Sequence, residues 1–232
     1  MATSTNTPEV VEQPHNYDLD ANPLDNVVVA YEKNKKILTT ALTVLVIAGV
    51  GFFGYQKWYK APNEEKASSA MAMPQLYFQA DSLNLALNGD GKNIGFAKIE
   101  KKYDGTAAGN MALYYEGVCY MRMGEFDKAI TALKKFDGKG TLLAYQAWGS
   151  IGVSYMEKGD KKNAIEYLKK ATGNASDALI TPMYLYQLGL AYEADNNVAE
   201  AKAAFQKIRD EYPRSIAARE MDKELAKLGM LD

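Results

Sequence analysis

From Ile37 to Tyr55 the chain carries no charged side chain. It is apolar on all faces, with lysines at both ends. A helix of that length rises about 28 Å, close to a bilayer hydrocarbon core of roughly 30 Å. A secretory signal has a shorter apolar core near the first methionine and ends in small residues. Here a long polar-rich stretch comes first, and the bulky, basic run Phe52–Lys60 follows. The expectation is a retained membrane anchor, with Tyr55, Trp58 and Tyr59 at the membrane interface, where an apolar ring body and a polar tip both find partners. The competing reading is a buried helix of a soluble core, which sits poorly with lysines at both ends.

Beyond the anchor the pattern changes to amphipathic helices, and it repeats. Leu113–Phe136 (LYYEGVCYMRMGEFDKAITALKKF), Trp148–Ala171 (WGSIGVSYMEKGDKKNAIEYLKKA) and Leu185–Ile208 (LYQLGLAYEADNNVAEAKAAFQKI) superimpose with a period of 35 and then 37 residues. Glycine and tyrosine recur three apart in each, as Gly117 and Tyr120, Gly152 and Tyr155, Gly189 and Tyr192. Turns follow at Gly124-Glu125, Gly159-Asp160 and Asn196-Asn197, where Gly or Asn reaches a left-handed backbone most cheaply. Five residues later come Ala129, Ala164 and Ala201, and four beyond them Leu133, Leu168 and Phe205. Small residues let two antiparallel helices approach, and the large ones fill the space between them.

This pattern resembles the tetratricopeptide repeat. Trp148 stands at the fourth position of the second repeat and Pro213 at the closing proline of the third, while Glu116 replaces a usual leucine. The expected fold is all-α: an N-terminal transmembrane helix followed by an α-solenoid of helix hairpins. The expected domains are a flexible tail (1–36), the span (37–55), a juxtamembrane connector (56–70) and a repeat domain (71–232). Within that domain a degenerate first pair (71–104) opens the stack, with helices over Leu76–Leu87 and Phe96–Tyr103. Repeats follow at 110–143, 145–178 and 182–215, and an amphipathic helix in 216–232 supplies the polar terminal cap a solenoid requires. Leu24–Glu32 either extends the membrane helix or lies along the membrane surface.

Composition narrows the function. The tail holds six acidic residues against three lysines and too little apolar surface to order itself. Residues 56–232 carry 24 basic and 23 acidic side chains, so no overall attraction draws nucleic acid. The single Cys119 excludes an internal disulfide. An enzyme needs convergent groups of matched acidity, and the inventory does not supply them. The only histidine, His15, lies in the tail. Cys119 has no histidine in its domain to activate it and reads as a small packed residue. Lys161-Lys162 and Lys169-Lys170 read as a solvated helix face, and Asn174-Ala175-Ser176 has the form of a glycosylation sequon. The expectation is no enzyme, no cofactor and no metal site.

The repeat resemblance implies that the first helix of each pair lines a concave groove. Its side chains would be Met111, Tyr114, Val118, Met121 and Arg122; then Gln146, Gly149, Val153, Met156 and Glu157; then Met183, Tyr186, Leu190, Glu193 and Ala194. That lining is apolar and rich in methionine, whose flexible thioether adapts to varied partners. It lacks the paired Lys and Asn that other repeats of this class use for a C-terminal carboxylate. A helix or an extended apolar segment suits it better, and the alternative is that the protein's own elements fill it.

A short tail, one anchor and a repeat domain together resemble the YfgM family of bacterial inner-membrane proteins. That resemblance implies a single-pass inner-membrane protein with a cytoplasmic N-terminus and a periplasmic repeat domain. It would be an ancillary subunit of the Sec translocon, partnered by SecYEG and a PpiD-like periplasmic chaperone and acting on exported polypeptides. Lysine counts on the two sides of the span nearly cancel; the cytoplasmic N-terminus is also expected because Lys33, Lys35 and Lys36 sit tighter to the span and a single early anchor before a large domain commonly exports that domain. Two rivals stay open: a scaffold for envelope or cell-division complexes, and a cytosol-facing receptor on an organelle.

Overall fold

The computed structural model describes residues 23–173 and 177–229. His15, the first part of the tail and the Asn174-Ala175-Ser176 sequon lie outside them. The described residues form helices joined by turns, with no strand among them, and divide into two units, Met1–Gln56 and Lys57–Asp232.

In the first unit α1 spans Pro23–Tyr55, so helix begins well before the expected span and takes in the end of the expected tail. Pro23 suits a helix start, since its missing N–H would be unpaired there anyway. Lys35 Nζ lies 2.6 Å from Glu32 Oε2, one turn earlier. The threonines of the apolar run do not disqualify it: the hydroxyls of Thr39, Thr40 and Thr43 donate to the carbonyls of Lys35, Lys36 and Thr39, each at 2.8 Å. A hydroxyl satisfied within its own helix carries no unmet donor into lipid. This is a helix long and apolar enough to cross a membrane.

In the second unit, α2 covers Ala61–Gln79, taking in most of the expected connector (56–70) and the start of the expected first pair, and a π-helical turn, Gln56–Lys60, precedes it. Pro62 sits in the first helical turn, the place a helix accepts it. Ala67 and Met71 are buried in a core shared with Phe96, Ile99, Ala108, Ala112 and Cys119. Burial against residues far along the chain makes this segment a helix rather than a linker. The expected first pair also differs. Helix breaks at Asp81, whose φ is 56°, and only short pieces follow, α3 (Leu83–Asn88) and α4 (Phe96–Lys102). Asp90 holds the loop between them, accepting from the Tyr77 hydroxyl (2.6 Å) and from the amides of Lys92 and Asn93.

Three hairpins follow: α5 (Ala107–Arg122) with α6 (Phe126–Lys135), α7 (Leu142–Glu157) with α8 (Lys161–Ala171), and α9 (Ile180–Ala194) with α10 (Val198–Glu211). Their turns reach the left-handed region at Gly124, Gly159 and Asn196 (φ 77°, 76° and 59°). Caps fix the starts: the Thr106 hydroxyl accepts from Gly109 N at 2.9 Å, and the Asp160 carboxylate from Asn163 N at 3.2 Å, each worth about 1 kcal/mol. A short 3-10 turn, Ala217–Glu220, and α11, Met221–Lys227, close the stack. Met221 and Leu225 complete the core of the third hairpin. Glu224, buried on α11, is paired with Lys227 at 2.7 Å.

Candidate partner groove

The glycines set how closely each hairpin closes. A Cβ added to Gly117 would lie 2.4 Å from Leu133 Cγ, one on Gly152 2.6 Å from Leu168 Cγ, and one on Gly189 2.2 Å from Phe205 Cε1. The three large residues are buried, so each second helix packs directly on the bare backbone of the first. This orients α5, α7 and α9 and presents their remaining faces.

Polar groups tie those first helices together. The Tyr114 hydroxyl donates to Gln146 Oε1 at 3.0 Å, and the Tyr184 hydroxyl to the Gln146 carbonyl at 3.2 Å. Burial pushes the Tyr114 phenol up to about 12, so it stays a neutral donor. Gly149, expected to line the groove, faces the ring of Tyr184 instead; a Cβ there would lie 2.0 Å from its Cζ. That correction follows from the approach of α9 to α7, which leaves no room at Gly149 for a side chain or a ligand.

The first-repeat end of the expected groove is occupied by the chain itself. Val118 is buried with Ile130, Leu133, Ala147 and Ile151, and Phe78, Tyr114 and Met121 pack against that cluster. The Phe78 ring, from α2, meets Tyr115 edge-on at 5.2 Å. Arg122 lies over Phe78 and reaches Asp81 at 2.7 Å. Met111 packs into the core beneath α2. Phe78 and Asp81 thus engage Met121 and Arg122, whereas Tyr114 and Val118 face α6 and α7; Met111, Tyr114 and Met121 are half-buried and Arg122 stays exposed. Along α7 and α9 the apolar lining opens furthest at Met183. Val153, Met156, Tyr186 and Leu190 are half-buried, and Met183 is 47% exposed.

Sequence reasoning missed Phe78, Asp81 and Tyr184. For Tyr184 a signal existed in the glycine mid-helix at Gly149; for Phe78 and Asp81 there was none, because their partners lie far downstream, in the first repeat. Among the described residues no group of three or more His, Cys, Asp or Glu side chains could hold a metal ion. Cys119 is fully buried, and desolvation pushes its thiol up to about 12, far from the thiolate a nucleophile requires. On the side facing α6 a shallow cleft of about 260 Å³ is lined by Glu100, Glu116, Lys128 and Lys135 among others. Among the described residues Glu116 Oε2 is buried without a hydrogen-bond partner.

Residues 111–137, 145–177 and 184–215 match models of the tetratricopeptide repeat. No curated protein matches the chain. The chain carries three tetratricopeptide repeats, a scaffold for protein–protein interaction.

Proposed function

We propose that the protein is a membrane-anchored interaction module that takes an apolar helix or extended segment on α7 and α9. The observation that carries this is the contrast within the groove. Phe78 packs on the first-repeat surface beside Met121 and Arg122, whereas at the third repeat Met183, 47% exposed, is the most open apolar position of the lining, with Met156, Tyr186 and Leu190 half-buried near it. Methionine and tyrosine together offer adaptable and rigid contact area. Tethering at α1 would raise the local concentration of this surface near a membrane-bound partner.

The resemblance in layout to the YfgM family supports a finer reading. The protein would be an ancillary subunit of the Sec translocon in a bacterial inner membrane, with its N-terminus cytoplasmic and its repeats periplasmic. It would work beside SecYEG and a PpiD-like chaperone on exported polypeptides. The test is photocrosslinking from Met156 and Met183 in the full-length protein in its native membranes, followed by mass spectrometry. Crosslinks to SecY, to a periplasmic chaperone or to exported chains are the expected result. Recovery of division or envelope-assembly proteins without SecY overturns the translocon reading in favour of a scaffold.

A further inference from the structure

Leu142, Leu179 and Ile216 recur at one repeat's interval, and each stands at the start of the first helical element of its unit. Leu142 opens α7, Leu179 immediately precedes α9, and Ile216 immediately precedes the 3-10 turn. They are 48%, 77% and 76% exposed. Because each hairpin is antiparallel, the starts of the first helices and the ends of the second helices share one edge of the stack. That edge is also basic: Lys135 and Lys169 lie in the last turns of α6 and α8, and exposed Lys139 and Arg214 lie in the loops that follow α6 and α10.

Favourable interaction with helix C-termini accounts for the last-turn lysines. It accounts neither for the loop cations nor for three large apolar side chains held in solvent. Of the acids at this edge, Asp137 and Asp177 accept from backbone amides, of Lys139 and of Leu179 and Ile180, and Asp210 is paired with Arg209; with Glu100, Asp104 and Glu211 they are still outnumbered among the described residues, because Lys101, Lys102, Lys134 and Lys170 also lie in the last turns of α4, α6 and α8. The opposite edge also exposes apolar residues, Met123 and Val198, but there the acids Glu125, Asp127, Glu157, Asp160, Glu193, Asp195 and Glu200 outnumber the cations Arg122, Lys128, Lys158, Lys161 and Lys162.

The chain enters this unit at the same edge. Lys60 shares a cleft with Thr106 and Ala107. Glu64 accepts from the amides of Ala107 and Ala108 at 2.6 and 2.9 Å, and Ala107 opens α5 at the position equivalent to Leu142. Just before Lys60 stand Trp58 and Tyr59, both exposed. Exposed Leu, Ile and Trp interleaved with cations are the composition of a surface that rests in the headgroup layer of an anionic bilayer.

We infer that the edge bearing Leu142, Leu179 and Ile216 docks on the surface of the anionic membrane that α1 enters. The repeats would then lie against the bilayer. The inference rests on the reading of α1 as a membrane span, and the experiment separates the two.

The full chain is reconstituted in nanodiscs of phosphatidylcholine with or without phosphatidylglycerol. Single variants Leu142→Cys, Leu179→Cys, Ile216→Cys, Val198→Cys and Ile47→Cys are labelled with a fluorophore, since the native Cys119 is fully buried. Quenching by lipids carrying a nitroxide near the headgroup or deep in the acyl chain is then measured. The expected result is deep quenching at Ile47, headgroup quenching at the three edge sites that falls when phosphatidylglycerol is omitted, and none at Val198. Adding Lys139→Glu and Arg214→Glu should abolish edge quenching and leave Ile47 unchanged.

Deep quenching at Ile47 with edge sites indistinguishable from Val198 overturns the inference and leaves the anchor standing. Energy transfer between edge labels in place of quenching overturns it in favour of a second copy of the chain. An unquenched label at Ile47 overturns the anchor reading and this inference together.

Discussion

The guanidinium of Arg122 lies 5.3 Å from the centre of the Phe78 ring, a contact between distant parts of the sequence that partly covers one end of the groove. The same arginine holds Asp81 at 2.7 Å, which ties the break after α2 to the first repeat. Phe78→Ala should destabilise the repeat unit by about 2 kcal/mol, below the 3–5 kcal/mol of a fully buried ring because Phe78 is half-buried. It should also open the space beside Met121. A photocrosslinker at Met121 is expected to be silent in the parent protein and to capture partner in the Phe78→Ala variant.

The glycine contacts predict overpacking. Gly152→Ala would place a methyl 2.6 Å from Leu168 Cγ. Crowding costs about 1–3 kcal/mol, against a helix-propensity gain of about 1 kcal/mol, so a net loss of about 1 kcal/mol is expected in urea unfolding. Gly189→Ala should cost more, since Phe205 is bulkier and would lie closer, 2.2 Å from the added Cβ. Gly49→Ala, with nothing within 4 Å, should not disturb the fold.

The hairpins were legible because their packing is written locally. Gly152 and Leu168 belong to one repeat, and the same pair recurs as Gly117 with Leu133 and Gly189 with Phe205. The greater part of α2 was not legible, because what holds it is remote. Glu64 caps α5 across 43 residues, and Ala67 and Met71 acquire a core only when Phe96 and Ala112 arrive. Periodicity within Ala61–Gln79 carries no record of that, and a segment rich in Pro, Asn, Glu and Ser resembles a linker when read alone. The positions expected to line a groove follow from counting along each first helix, whereas Phe78, which packs beside Met121, does not.

Glu64 itself gives a prediction. Its two oxygens satisfy the amides of Ala107 and Ala108, which a helix start leaves without intrahelical partners. Glu64→Ala should cost about 1 kcal/mol, and Glu64→Gln less, since one amide oxygen still accepts. Hydrogen exchange should quicken at the start of α5 and leave α9 unchanged.

Glu116 should make stability depend on pH. Desolvation first, and then the charge of Glu100, raise its pKa above the ordinary carboxylate value, with Lys101 and Lys135 partly opposing. A carboxyl raised in the folded state costs stability above its folded pKa, and the cost is relieved as pH falls through that value toward the unfolded one. Glu116→Leu should therefore stabilise at neutral pH by about 1 kcal/mol, the low end for an unsatisfied buried group because solvent still reaches its cleft. The advantage over the parent should shrink on acidification to about pH 4, as thermal unfolding at both pH values would show.

Met183 and Met156 separate binding from packing. Met183 is 47% exposed, so Met183→Glu should leave stability within about 0.5 kcal/mol of the parent. Met156 packs against the core of the third hairpin, and Met156→Glu should destabilise by about 1–2 kcal/mol by bringing a carboxylate against apolar side chains. Both should weaken partner crosslinking from Tyr186, because a partner's apolar face would have to cover the new charge. The informative variant is Met183→Glu, where stability is unchanged and any loss of crosslinking reports the surface itself. Unaltered crosslinking in that variant, with Met156→Glu merely less stable, would mean that α7 and α9 do not carry the partner.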